Sequence, residues 1–169
     1  MQGPSRDALR IAHIAFALGV LYAAVSVYWG LGGTWLLDTV GGSLARRGHA
    51  GDATVLTAVW GAAVVKVIVA VLPLLAVRRR ADPAWTRRVR ILAWAAAVIL
   101  IAYGAVETVV GLLVQSDLIH VSPTADHRAL AWHAYLWDPW FLIWGLLIAV
   151  ALRLTRDGGT KESAPLDAR

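Results

Sequence analysis

Four ionisable residues interrupt or border the apolar stretches of this chain: Asp38, Lys66, Glu107 and Asp138. Charged groups are costly in a low-dielectric medium, so those that persist there commonly do chemistry. Glu107 and Asp138 fall in different apolar blocks at similar expected depth. Two carboxyl groups at one depth do not both ionise at low cost, and the one that keeps its proton can act as a general acid. Lys66 falls near the middle of its block, where it would neutralise one of these acids or exchange protons with it. Asp38 follows the break Gly30-Leu31-Gly32-Gly33 and is expected at the surface end of the same group, as a weaker third acid or a simple cap.

Aromatic residues gather around these acids. His133, Trp137, Trp140 and Trp144 follow a +4, +3, +4 spacing, which lines one face of a helix and flanks Asp138. Tyr103 and Glu107 share a helix face at i, i+4. Tyr28 and Trp29 stand just before the glycine break. Tryptophan in membrane proteins usually forms interfacial belts, and Trp85 fits that role, but Trp137, Trp140 and Trp144 do not all fit it. The plainer reading is a packing stripe. The chemical reading is an aromatic pocket closed by acids, suited to an apolar ligand that develops positive charge, because indole faces stabilise cations. Asp138-Pro139 would loosen its helix and free backbone carbonyls beside that pocket.

His120, His127 and His133 belong to one loop and the start of the last helix, and His13 to the first. His127 and His133 are six apart and do not share a helix face, and no H-E-x-x-H pattern occurs. The chain has no cysteine, which excludes disulfides, thiolate catalysis and thiolate metal sites. Neither a metal nor a cofactor is expected; His120, His127 and His133 are read as polar loop groups, or one of them as proton partner to an acid, and His13 as a packing or interfacial residue.

The elements that must position these residues are legible from hydropathy. The chain is 59% hydrophobic and 16% charged, whereas a soluble domain carries roughly 25% charged residues. The apolar residues form four long blocks bounded by charge, which predicts an all-α, integral-membrane, four-helix antiparallel bundle. The helices are expected at about residues 8–29, 53–77, 89–114 and 124–154 of one domain, 1–156, followed by a disordered tail, 157–169. Asp52 or Thr54 would cap the second helix, Pro73 would bend it, and Ser122-Pro123 would open the fourth. Arginine sets the orientation. Arg78, Arg79, Arg80, Arg87, Arg88 and Arg90 lie between the second and third blocks, Arg6 and Arg10 precede the first, and Arg153, Arg156 and Lys161 follow the last. The opposite loops hold Arg46, Arg47 and Arg128, so both termini are expected in the cytoplasm and the protein in the inner (plasma) membrane. The net charge of +5 is therefore a topology signal, and no nucleic-acid partner is expected.

The segment Tyr28-Trp29-Gly30-Leu31-Gly32-Gly33-Thr34-Trp35 with Asp38, and the stretch Trp137-Asp138-Pro139-Trp140-Phe141, resemble motifs of small four-helix bacterial membrane proteins of unassigned function. Their design is similar to the integral-membrane terpene cyclases of meroterpenoid pathways. That resemblance implies a metal-independent enzyme whose buried acid protonates an epoxide or alkene of an isoprenoid-like substrate. The chain agrees in having no D-D-x-x-D motif. The acid role falls on Glu107 and Asp138, more weakly on Asp38, with Tyr28, Trp29, Tyr103, His133, Trp137, Trp140 and Trp144 around the substrate. The expected partners are an apolar isoprenoid-like molecule and membrane lipid, with a homo-oligomer possible. Two other functions fit the same residues: a proton-coupled small transporter working through Lys66 and an acid, and a non-catalytic lipid-binding subunit.

Overall fold

The computed structural model describes residues 5–78 and 82–157. Among them the chain is all helical. Four helices are long and apolar enough to cross a membrane: α1 (Arg6–Gly30), α3 (Ala53–Val77), α4 (Pro83–Gln115) and the composite fourth span, His127–Thr155. The short α2 (Gly42–His49) lies between α1 and α3. The fourth span is built from α5 (His127–Trp132), a π turn (His133–Trp137) and α6 (Asp138–Asp157).

Local chemistry sets the ends. Ser5 caps α1 by accepting from the Ala8 amide, and Asp52 caps α3 by accepting from Thr54 and Val55. Asp82 caps α4, with Pro83 in its first turn, so this helix starts six residues before the expected 89. The apolar run begins at Val89, but a capping aspartate followed by proline is itself a helix start. The fourth span starts later than expected. Ser122 accepts from the Thr124 amide in a tight turn, and Asp126 is the cap, accepting from Ala129. Pro73 lies buried within α3. The expected tail falls on residues 158–169, outside the described residues, as do Arg79, Arg80 and Lys161 of the orientation argument.

α1 packs against α3 and α6, and α4 against α6 and α3. Each of these pairs runs antiparallel, because Gly30 meets Trp60 while Gly19 meets Ala70, and Gly111 meets Ala134 while Gly145 meets Ile101. One end of the described helices therefore carries α2 and residues 116–126, and the other carries the start of α1 and the end of α6 (the termini end). Small residues let the helices approach closely. Ala8, Ala12, Ala15, Gly19, Ala23 and Ser26 make one buried stripe along α1. On α4, a Cβ at Gly104 would run into the backbone of Leu142 and Asp138. At the termini end, Arg90 donates to the Thr155 hydroxyl at 2.7 Å and to the Leu152 carbonyl at 3.3 Å. Large apolar side chains such as Ile68, Ile99 and Val106 remain exposed, as lipid-facing residues do.

Candidate functional site

The π turn is where sequence and backbone meet. Pro139 has no amide hydrogen, and its ring would press on the carbonyl of Tyr135 in a regular helix. The chain widens by one residue just before it, and the Asp138 amide donates to the carbonyl of His133, five residues back. This wide turn brings the two side chains together. Nδ1 of His133 lies 3.3 Å from Oδ1 of Asp138. Asp138 is 3% exposed, whereas His133 is half-buried.

Around this pair stands an aromatic cluster centred on Tyr22 of α1. Its ring centroid lies 5.7 Å from Trp137, nearly parallel at 12°, 5.1 Å from Trp140 and 4.9 Å from Phe141. Trp29 meets Trp137 edge-on, and Tyr103 of α4 meets Phe141 likewise. Such pairs add about 1 kcal/mol each beyond their buried area. The phenols of Tyr22 and Tyr103 are within electrostatic reach of Asp138. The indole N–H of Trp137 donates to the Thr39 hydroxyl at 3.1 Å, and that of Trp140 to the Leu18 carbonyl at 3.3 Å. Trp144 is buried at Gly19 and Ala70, nearer the termini end, and its indole N–H has no partner. Trp137, Trp140 and Trp144 thus face α1, whereas His133 lies on the groove beside residues 40–44.

The expected convergence of three acids over Lys66 is not what the structure brings together. Glu107 is exposed on the flank of α4, and among the described residues the hydrogen-bond partner of Asp138 is His133. The close approach on α4 is made by Gly104 instead, where the absence of a side chain lets the helix touch the backbone at Asp138. Asp38 points to the surface, with Oδ1 at 2.7 Å from Nε2 of His49. Its neighbour Thr39 is the one that turns inward, because the 3-10 turn over Leu37–Thr39 puts adjacent residues on different sides. Among the described residues Lys66 pairs with no carboxylate. It donates to the Ser26 hydroxyl at 2.8 Å and lies 3.8 Å from the Tyr22 ring centroid. Tyr28 is exposed, packs on Gly33 and accepts from the Trp35 amide, while the Trp29 indole donates to the Trp35 carbonyl.

Tyr22, Thr39 and Phe141 are site residues that the sequence reading passed over. A signal for Tyr22 existed. It continues the heptad-like stripe Ala8, Ala12, Ala15, Gly19, whereas Tyr28 lies off it.

At the α2 end, a groove of about 420 Å³ runs between residues 40–44 and α5, and His133 is part of its lining. Gly41 forms its wall at φ +74°, where a Cβ would strike Ala129. Among the described residues no group of three His, Asp or Glu side chains is arranged to hold a metal ion. The arrangement therefore offers a buried carboxyl group, an imidazole that touches both it and a groove, and an aromatic wall.

No curated protein and no solved structure is significantly similar to the chain. One family model does match, over residues 19–148, a span that holds Tyr22, Thr39, His133, Asp138 and the tryptophans around them. That match covers well over half of the chain, which therefore belongs to the family described as "Protein of unknown function (DUF3995)".

Proposed function

We propose that this chain is a membrane-embedded acid–base enzyme acting on an apolar, isoprenoid-like molecule, with Asp138 as its general acid. The four spans would form an antiparallel bundle in the inner membrane, with both termini cytoplasmic and the α2 end outside. The observation that carries the reading is the His133–Asp138 pair, a buried carboxyl group held by an imidazole beside an aromatic wall. In its most specific form the reaction is a protonation-initiated terpene cyclisation. Asp138 gives its proton to an epoxide oxygen or an alkene carbon, and the resulting cation is attacked by a neighbouring alkene. The final cation then loses a proton to the Asp138 carboxylate, directly or through His133. Substrate and product are isomers, and the acid is regenerated. Tyr22, Trp137, Trp140 and Phe141 pack on one another, and a substrate that parts them would meet ring faces suited to a cationic intermediate.

Product analysis with prenylated epoxides tests this. Asp138→Asn is expected to abolish product. Glu107→Gln is expected to retain it, because Glu107 is exposed on α4 whereas Asp138 is buried against His133. Full activity in Asp138→Asn would overturn the assignment.

One observation favours a second reading, a non-catalytic lipid-binding subunit. The rings around Tyr22 pack on one another at 4.9–5.7 Å and fill the space beside Asp138 with protein. That reading predicts no turnover in any variant and equal lipid binding in all of them.

A further inference from the structure

The groove at the α2 end has a consequence for protons that does not depend on any substrate. It is lined by Gly41, Ser43, Asp126, Ala129 and Leu130, and it reaches the His133 imidazole. That imidazole is the hydrogen-bond partner of Asp138. The groove, about 420 Å³, is largely apolar and open to its surroundings, and Ser43, Asp126 and His133 are the polar side chains that lie on it, so water can reach His133. At its far end His133 can take a proton from water at one ring nitrogen and hold the carboxyl group at the other.

We propose that this groove is a one-sided proton inlet, through which Asp138 exchanges its proton with the aqueous phase at the α2 end by way of His133. The proposal deepens the acid–base reading above and rests on Asp138 being its acid. A donor recharged in this way resets after every turnover without opening the aromatic wall. Each step is a balanced transfer. Water delivers a proton to the free imidazole nitrogen, the other ring nitrogen passes its proton to the carboxylate, and the ring returns to its first tautomer by reorienting or by exchange with groove water.

The groups facing the pair are few. From α1 comes the Tyr22 phenol, with the Lys66 ammonium of α3 over its ring. From α4 comes Tyr103, itself within electrostatic reach of Glu107. Asp126, the α5 cap, shares the groove, and Tyr135 stands exposed on the same π turn. The Asp38–His49 pair is at the surface. Of these, Asp126 is the ionisable group that shares the groove lining with His133.

The test is infrared difference spectroscopy of the full chain in oriented proteoliposomes, with the pH stepped on one face at a time. The carboxyl band of Asp138 is the one that Asp138→Asn removes and Asp138→Glu displaces. It should follow the pH at the α2 face and ignore the pH at the termini face. His133→Gln, which keeps the size of the side chain but cannot relay, should slow the response about 100-fold. Ser43→Trp, which fills the groove, should slow it as well. A band that follows the termini face, or neither face, overturns the proposal, and so does unchanged exchange in both variants. Because no substrate is present, failure here is distinguishable from failure to form product.

Discussion

At the scale of single residues, environment separates the ionisable groups that composition alone treats alike. Asp138 is buried and held by His133, Glu107 is exposed, and Asp38 is a surface partner of His49. Lys66 is the instructive case. A lysine deep in a membrane helix costs about 3 kcal/mol. Its compensation here is one hydroxyl, worth about 1 kcal/mol, and one ring face, worth at most about 2 kcal/mol. The sums nearly cancel. Lys66→Met is therefore expected to leave stability within about 1 kcal/mol of the parent, measured by reversible unfolding in bicelles. A loss well beyond that would show that Lys66 serves an anion.

At the scale of elements, the decisive features are the close approaches and the π turn. Gly104 lets α4 lie against the Leu142 and Asp138 backbone. Gly104→Ala is expected to lower stability by about 1–3 kcal/mol in the same unfolding assay, since neither backbone can give way without moving a helix. The turn from α2 into α3 carries a pH dependence. The Arg47 guanidinium holds the Asp52 carboxyl below the usual carboxylate range, with Nη2 to Oδ1 at 3.0 Å and Nε to Oδ2 at 3.1 Å, and the Val55 and Thr54 amides add to this. A depressed folded-state value means the stabilisation is full above the unfolded value, about 3.9, and fades as pH falls through the folded one. Amide protection factors in α2 and the first turn of α3, taken against the intrinsic exchange rate at each pH, should fall below about pH 4. Asp52→Asn should remove that acid-dependent component while still capping the helix.

At the scale of the whole molecule, four spans place α2 and residues 116–126 at one end and the start of α1 and the end of α6 at the other. The chain has no cysteine, so single cysteines report cleanly. Ala50→Cys and Ser116→Cys should react with an impermeant thiol reagent from one face, and Ser5→Cys and Ala84→Cys from the opposite one. The orientation proposed above predicts that the second pair reacts from the cytoplasmic face. A pair split across the two faces would refute the four-span topology.

Hydropathy alone determined that the chain is helical with four segments long and apolar enough to cross a membrane, because this depends on local composition and on length against bilayer thickness, whereas the short α2 carried no such signal. The π turn was half legible, since Pro139 demands some break but does not say which. Tertiary structure decided which acid is buried. Glu107 and Asp138 read alike along the chain, but the packing seam of α4 runs through Gly104 and Gly111, leaving Glu107 on its flank. The same holds for Asp38 and Thr39, where one turn of backbone chooses which neighbour enters. Depth follows from counting residues, whereas which residues touch follows from how the helices are rotated, and that is set by contacts between segments far apart in the chain.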